Sequence, residues 1–312
     1  MPEGTCLSPT DVPTGPLGAT PTRRGSSSTA SFPSAPERVD MRLDLHIHST
    51  ASDGALSPRA VVEAAEGARL DVIALADHDT TAGVRRLLES GIQRSIQVVP
   101  ALEVSSTLDD KELHLLGYFV DPEAQVIRTH EERAVRLREK RMLGMIGRLA
   151  DQGVQVEFTA VVEAAGPERT ALSRPHLARA LVAARYVTSV PEAFERYIGD
   201  EHPAFLPTSL LSPEDAIRMI LEAGGIPVWA HPPENLVENL LPRLVQAGLR
   251  GLEVYRPRHP PRYTLRLEGL CRAWKLLISG GSDWHYPDRG LELGDFYVTS
   301  EEVAGLLEAG GI

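Results

Sequence analysis

Short apolar runs recur along this chain, and most of them stop at an imidazole or a carboxylate. They are Leu43-Asp44-Leu45-His46-Ile47-His48, Val72-Ile73-Ala74-Leu75-Ala76 leading to Asp77-His78, Val98-Val99-Pro100-Ala101-Leu102-Glu103, Ile226-Pro227-Val228-Trp229-Ala230-His231, and Leu276-Leu277-Ile278-Ser279 leading to Ser282-Asp283-Trp284-His285. Runs of this length, bounded by Gly, Pro, Asp and Ser, read as strands. Further strands are predicted near 113–119 and 251–255, the first close enough in sequence to the strand near 96–102 to pair with it. Helix-period segments lie between the strands. Ser57 and Pro58 offer an N-cap and a first-turn residue for a helix through Val61, Val62 and Ala65. Others follow at Val84-Leu87-Leu88, after Ser212-Pro213, near 235–247 and over 261–274. This alternation predicts an α/β barrel with helices outside.

Between about 122 and 206 the pattern changes. A long charged helical segment over 128–150 is followed by helices near 159–165, 174–185 and 190–197, with no convincing strand. We therefore expect a barrel in two parts, 41–121 and 207–312, interrupted by an all-helical insertion domain over 122–206. The insertion follows His114, on the side where strand ends carry polar residues, so it is expected to overhang them. Arg133, Arg136, Arg138, Lys140 and Arg141 are expected on a solvated helix face, with one arginine available to an anionic ligand.

Composition narrows the classes. The 312 residues are 42% hydrophobic and 24% charged, with a formal net charge of −11. An acidic chain lacks the basic footprint that long duplex nucleic acid requires, though bound metal ions can reverse the local field of an acidic site. Cys6 and Cys271 form no CxxC motif. No apolar stretch reaches the roughly 20 residues of a membrane span, and a cytoplasmic protein is expected. Residues 1–40 are rich in Pro, Ser, Thr and Gly and are expected to be disordered.

The chemistry lies in the strand ends. His46 and His48 stand at i and i+2 of a strand, so both face one side. Asp53, His78, Glu103, His114, His231, Asp283 and His285 complete nine metal-ligand-type side chains, and six of the ten histidines fall within the pattern. At the ends of barrel strands such groups meet on one face. Imidazole with carboxylate and no thiolate suits manganese, iron or zinc.

The segments LDLHIHSTASDG, IALADHDT, PALEVSS, HLLGY, AGGIPVWAHP, GLEVY and GGSDWH resemble those of the PHP (polymerase and histidinol phosphatase) family of metal-dependent phosphoesterases, over essentially 41–300. The segment TALSRPHLARALV and the size of the insertion resemble one branch, the nucleoside 3′,5′-bisphosphate phosphatases, which includes the 5′-to-3′ exoribonuclease called ribonuclease AM. The resemblance implies a distorted (β/α)7 TIM-like barrel, a small helical insertion and three divalent metal ions (manganese, iron or zinc). His46, His48, Glu103 and Asp283 would hold the first ion. Glu103, bridging, would join His114 and His231 on the second, and Asp53, His78 and His285 would hold the third. Glu103, Asp283 and His285 are the expected catalytic ligands, and Arg174 and His176 the expected clamps on a substrate phosphate.

The implied reaction is hydrolysis of a phosphorylated nucleotide or a short 5′-phosphorylated RNA, with a hydroxide bridged by two metals attacking phosphorus in line. A histidinol-phosphatase-like phosphomonoesterase and a non-catalytic metal-binding accessory domain are the alternatives within the family. An amidohydrolase also starts from His-x-His, but it usually bridges its metals with a carboxylated lysine, and Glu103 holds that strand end here. Deleting residues 1–40 is expected to leave thermal stability and specific activity unchanged, because that segment offers neither core nor ligand. A large loss of either in the shortened chain would show the expectation to be mistaken.

Overall fold

The computed structural model describes residues 40–91, 95–109, 111–208, 210–287 and 291–312. Asp40 excepted, the tail expected over 1–40 lies outside the described residues. Asp40–Ile312 forms one compact unit. In chain order its elements are β1 (Arg42–Ile47), α1 (Pro58–Gly67), β2 (Val72–Leu75), α2 (Ala82–Glu89), β3 (Gln97–Leu108) and β4 (Lys111–Tyr118). Then come α3 (Gln125–Asp151), α4 (Phe158–Ala165), α5 (Arg174–Ala183) and α6 (Val190–Ala193), the last running into a π-helical turn, Phe194–Ile198. The chain continues through α7 (Pro213–Glu222), β5 (Ile226–Trp229), α8 (Val237–Ala247), β6 (Gly251–Tyr255), α9 (Pro261–Trp274), β7 (Leu277–Gly280), β8 (Val298–Thr299) and α10 (Ala304–Gly310).

The strands form one sheet in the order β7-β6-β5-β4-β3-β2-β1-β8. It curls until β7 and β1 meet, as a nearly closed barrel. The seam is short: His48 N–H donates to Trp284 O at 2.9 Å and Trp284 N–H to His46 O at 3.3 Å. Gly281 permits this approach, since a Cβ there would lie 2.4 Å from His46 N and Cβ. β8 pairs antiparallel with the first residues of β1. This is the distorted β/α barrel with flanking helices and a helical insertion that the sequence predicts.

β4 runs against both neighbours, pairing antiparallel with β3 and β5. Its last residue, Tyr118, pairs with Ile226, the first residue of β5. The chain therefore leaves β4 at the end of the barrel opposite the strand C-termini, which corrects the expectation that the insertion departs beside them. The 27-residue α3, about 40 Å long at 1.5 Å per residue, carries the chain back. One stripe of α3, through Ile127, His130, Glu131, Ala134, Arg138, Arg141, Met142, Met145 and Leu149, is buried. Ile127 joins the barrel core beside Leu113, Leu115 and Ile217. Met142, Met145 and Leu149 pack with Val161, Leu177, Leu181 and Ile198 in the separate core of the helical segment.

Arg138 and Arg141 lie on that stripe, 4% and 9% exposed, not on the solvated face expected for them. Their spacing from His130 and Ala134 puts them on the docking side. Arg138 donates from Nε to Asp79 Oδ2 at 2.9 Å and from Nη2 to Ser105 Oγ at 2.7 Å. His130 Nε2 lies 2.9 Å from Asp79 Oδ1. About two turns before Arg138, Glu131 receives Arg85 Nη2 at 2.8 Å and the Thr81 N–H at 2.8 Å. The guanidinium beside buried Asp79 outweighs burial and holds its carboxyl below the usual range. Arg138→Met removes one partner of a buried pair and should destabilise the fold by about 3–5 kcal/mol in urea denaturation. Adding Asp79→Asn should recover part of that loss. A single-variant loss under about 1 kcal/mol would mean that the pair does not hold α3 in place.

Candidate metal centre

β1 turns its histidines inward through an irregularity of register between Asp44 and Ile47. Ile47 packs outward with Val61, Val62 and Val84 of α1 and α2, while His46 and His48 on either side of it are fully buried. The loop after β1 is tied down by buried Asp77, which accepts the Ser49 N–H at 2.8 Å, Ser49 Oγ at 2.7 Å and Ser52 Oγ at 2.6 Å. That loop delivers Asp53, 1% exposed, to the barrel mouth. His78, His231, Asp283 and His285 follow the ends of β2, β5 and β7, and Glu103 sits in the middle of the long β3. Because β4 runs the other way, its ligand comes near the strand's start, and His114 pairs with Ser105 across the β3–β4 ladder.

The structure brings all nine predicted ligands together. The two oxygens of Glu103 face different sets. Oε2 lies 3.4 Å from His46 Nε2, 3.3 Å from His48 Nε2 and 3.1 Å from His78 Nδ1. Oε1 lies 2.9 Å from both His114 Nδ1 and His231 Nε2. Asp283 Oδ1 approaches His48 Nε2 at 3.2 Å and His46 Nε2 at 3.4 Å. Asp53 faces His285 Nε2 at 3.4 Å and His78 Nε2 at 3.9 Å. Ligand atoms of three groups lie within 4.8 Å of one another: His46, His48, Glu103 and Asp283; His48, Asp53, His78 and His285; and His78, Glu103 and His114.

The donor set fits divalent metal ions. His46 Nε2, both nitrogens of His48, both oxygens of Asp53, His78 Nδ1 and Glu103 Oε2 are buried without a hydrogen-bond partner. Buried polar atoms are normally satisfied, and atoms orphaned together around one space are those a cation would take. The electrostatics agree. Burial opposes charge on His48, yet the carboxylates of Asp283 and Glu103, 3.2 and 3.3 Å from its Nε2, outweigh it and push its pKa up to about 10. Burial likewise works against ionised Glu103, but the surrounding imidazoles, His114 and His78 foremost, hold its carboxyl well below the usual range. A proton on His48 balances carboxylates that a metal ion would otherwise balance, whereas burial brings the pKa of His78 down to about 3.

A second layer escaped the sequence reading. Glu253, fully buried on β6, accepts from His46 Nδ1 at 2.7 Å and from the His231 N–H at 2.7 Å. It leaves His46 Nε2 pointing at the centre. Arg256 Nη2 holds the outer oxygen of Asp283 at 2.6 Å. The signal was the place of Glu253 within, and of Arg256 just after, the run Gly251–Tyr255, which carries no histidine. Asp79, His231 and Asp283 have φ of 57°, 31° and 55°, a region non-glycine residues rarely occupy, so the loops after β2, β5 and β7 hold strained backbone at the site.

The predicted clamp residues separate. Arg174, first residue of α5, lines a pocket of about 140 Å³ together with Asp53, His78, His114 and His285. His176 is fully buried and is not among the described residues lining that pocket. Its Nδ1 accepts the Ser173 N–H at 3.1 Å, closing the N-terminus of α5, and burial brings its pKa down to about 4. Its Nδ1 is thus committed to the helix start, while its Nε2 is buried without a hydrogen-bond partner. A larger cleft of about 360 Å³ opens beside Asp283 and His285, lined by Arg256, Arg258, Trp284 and Tyr286.

Comparison with known proteins gives a consistent set of similarities. Residues 44–159 match the family described as the PHP domain. The chain is 31% identical over 245 residues to a phosphoribosyl 1,2-cyclic phosphate 1,2-diphosphodiesterase of Eggerthella lenta, covering 78% of this chain and 93% of that protein. It is 32% identical over 259 residues to the Escherichia coli 5′-3′ exoribonuclease Rnm, covering 80% and 87%. A 3′,5′-nucleoside bisphosphate phosphatase of Chromobacterium violaceum is 31% identical over 256 residues, covering 80% and 88%. A Bifidobacterium adolescentis crystal structure, provisionally described as a metal-dependent phosphoesterase, superposes with a TM-score of 0.76 at 31% identity, covering 86% of this chain and 96% of that one.

Glu253 provides a test of the second layer. Glu253→Gln keeps an acceptor for His46 but removes the charge, and should weaken manganese binding by roughly 10- to 100-fold, measured by calorimetric titration of the metal-stripped protein. Unchanged affinity would show that Glu253 is only packing.

Proposed function

The chain belongs to the PHP-domain family of metal-dependent phosphoesterases, and on that premise we propose that its substrate carries a second, non-reacting 5′-phosphate: a nucleoside 3′,5′-bisphosphate losing its 3′-phosphate, or the 5′-phosphorylated end of a short RNA. The observation that carries this reading is Arg174, a guanidinium placed in the same small pocket as Asp53, His78, His114 and His285. The names of the relatives point the same way, since each describes a phosphate ester of ribose units.

Three divalent ions, manganese, iron or zinc, are the proposed cofactors, held as the sequence suggests by His46, His48, Glu103 and Asp283, by Glu103, His114 and His231, and by Asp53, His78 and His285. When bound, such ions polarise phosphoryl oxygens and acidify coordinated water. The chain's own residues supply the rest. Glu103 presents one oxygen to each of two imidazole sets, so it would be the residue shared between two ions. Glu253 fixes the ring of His46, and Arg256 fixes the carboxylate of Asp283. Arg138 and Arg141 also line that pocket but are paired with the buried carboxylates Asp79 and Glu112; Arg174, one of whose two carboxylate partners is the exposed Asp200, is the proposed contact for the second phosphate, the planar fork of arginine matching phosphate oxygens. Holding that remote group orients the scissile ester over the ligands and turns binding energy into alignment. Residues 122–206 are, in this reading, the insertion domain that brings Arg174 over the barrel.

The experiment is a panel of adenosine 3′,5′-bisphosphate, a 5′-phosphorylated oligoribonucleotide, a ribose cyclic phosphate, histidinol phosphate and p-nitrophenyl phosphate with added manganese. Arg174→Ala should leave metal content intact and lower kcat/KM for the bisphosphate by roughly 10²-fold, as expected for one strong charged contact. It should matter far less for p-nitrophenyl phosphate, which has no second phosphate. Equal losses on both would place Arg174 at the reacting phosphate, and no loss on either would end this reading.

A further inference from the structure

Arg174 is already engaged on both edges. It donates through Nη2 to Glu112 Oε2 at 3.2 Å and through Nη1 to Asp200 Oδ1. The rings of Phe194 and Phe205 lie 5.5 and 5.0 Å from its Cζ, so the guanidinium is held by its face and offers ligands only its edge. The two carboxylates are held very differently. Glu112, its side chain 10% exposed, is fixed twice more, by Arg141 Nη2 at 2.8 Å and by the Thr208 N–H at 2.7 Å. Asp200 follows the π-helical turn with its side chain 65% exposed, and Arg174 is its one ion-pair partner among the described residues.

We propose that Asp200 is a displaceable counter-ion. It occupies the edge of Arg174 that a substrate's second phosphate uses, and so sets how tightly that phosphate is held. The inference rests on the reading of Arg174 given above. Glu112 cannot yield, because its oxygens also satisfy Arg141 and a backbone N–H. Asp200 can, because its carboxylate returns to water that already surrounds it. A phosphate that must displace Asp200 binds with its intrinsic affinity reduced by the fraction of molecules in which the edge is open. A pair this exposed is weak, so the reduction is a few-fold and the edge exchanges readily. The nucleoside 5′-phosphate left after the 3′-phosphate departs keeps the group that Arg174 holds. Asp200 therefore competes equally with product and assists its release.

The test uses the full-length, manganese-loaded protein. KM for adenosine 3′,5′-bisphosphate is measured alongside the inhibition constant of adenosine 5′-monophosphate against p-nitrophenyl phosphate hydrolysis. In Asp200→Asn and Asp200→Ala both constants should fall together, by about two- to five-fold, with kcat/KM for p-nitrophenyl phosphate unchanged. Adding Arg174→Ala should erase the gain, since a counter-ion without its cation blocks nothing. Unchanged constants in the Asp200 variants, while Arg174→Ala alone still weakens both ligands, would overturn the counter-ion and leave the clamp standing. A gain that persists in the double variant would overturn it as well, by showing that Asp200 acts elsewhere. If Arg174→Ala alone changes neither constant, the clamp itself has failed.

Discussion

A single buried carboxylate organises this molecule. Glu103 is fully buried, and an isolated charge in that position would be prohibitive. It is tolerated because β1, β2, β4 and β5 each turn a histidine toward it. The charge balance extends outward in shells. Imidazoles surround Glu103, Asp283 and Asp53 complete the inner ring, and Glu253 with Arg256 neutralises the outer faces of His46 and Asp283. The barrel must close at the β7–β1 seam for this arrangement to exist, because Asp283 and His285 sit just beyond β7 while His46 sits on β1 and His48 just after it. Gly281 at that seam is thus a residue of the site as much as of the sheet.

The sequence disclosed the inner ring because most of its members end or border a recognisable apolar run, and side-chain alternation on a strand needs no tertiary knowledge. It did not disclose the direction of β4. An apolar run reads the same both ways, so Leu113–Tyr118 betrayed neither its antiparallel pairing nor the exit of the chain at the far end. The end of the chain was equally quiet: β8 is two residues long, too short to leave a pattern.

Charge misled where burial inverted its meaning. Arg138 and Arg141 resemble their neighbours Arg133 and Arg136 in composition, and only their phase with His130 and Ala134 marks them as inward. Glu253 was hidden for a related reason, since an acid within a short strand reads as surface until a histidine on another strand is known to face it. His176 and Arg174 differ in placement. A histidine two residues from an arginine invites a shared role, yet helix geometry sends one side chain to the pocket and the other into the helix start.

The long helix α3 has a mechanical meaning. Its first turns belong to the barrel core and its last turns to the core of the helical segment, with Arg138 pinning its middle to the loop after β2. Two bodies joined by a flexible linker can gape and close around a ligand; two bodies that share one continuous beam cannot hinge without bending the beam or pulling a buried guanidinium from its carboxylate. Traffic through this mouth is therefore left to side chains at its rim, and the timescale of admission is that of rotamers and exposed ion pairs, not of domain motion.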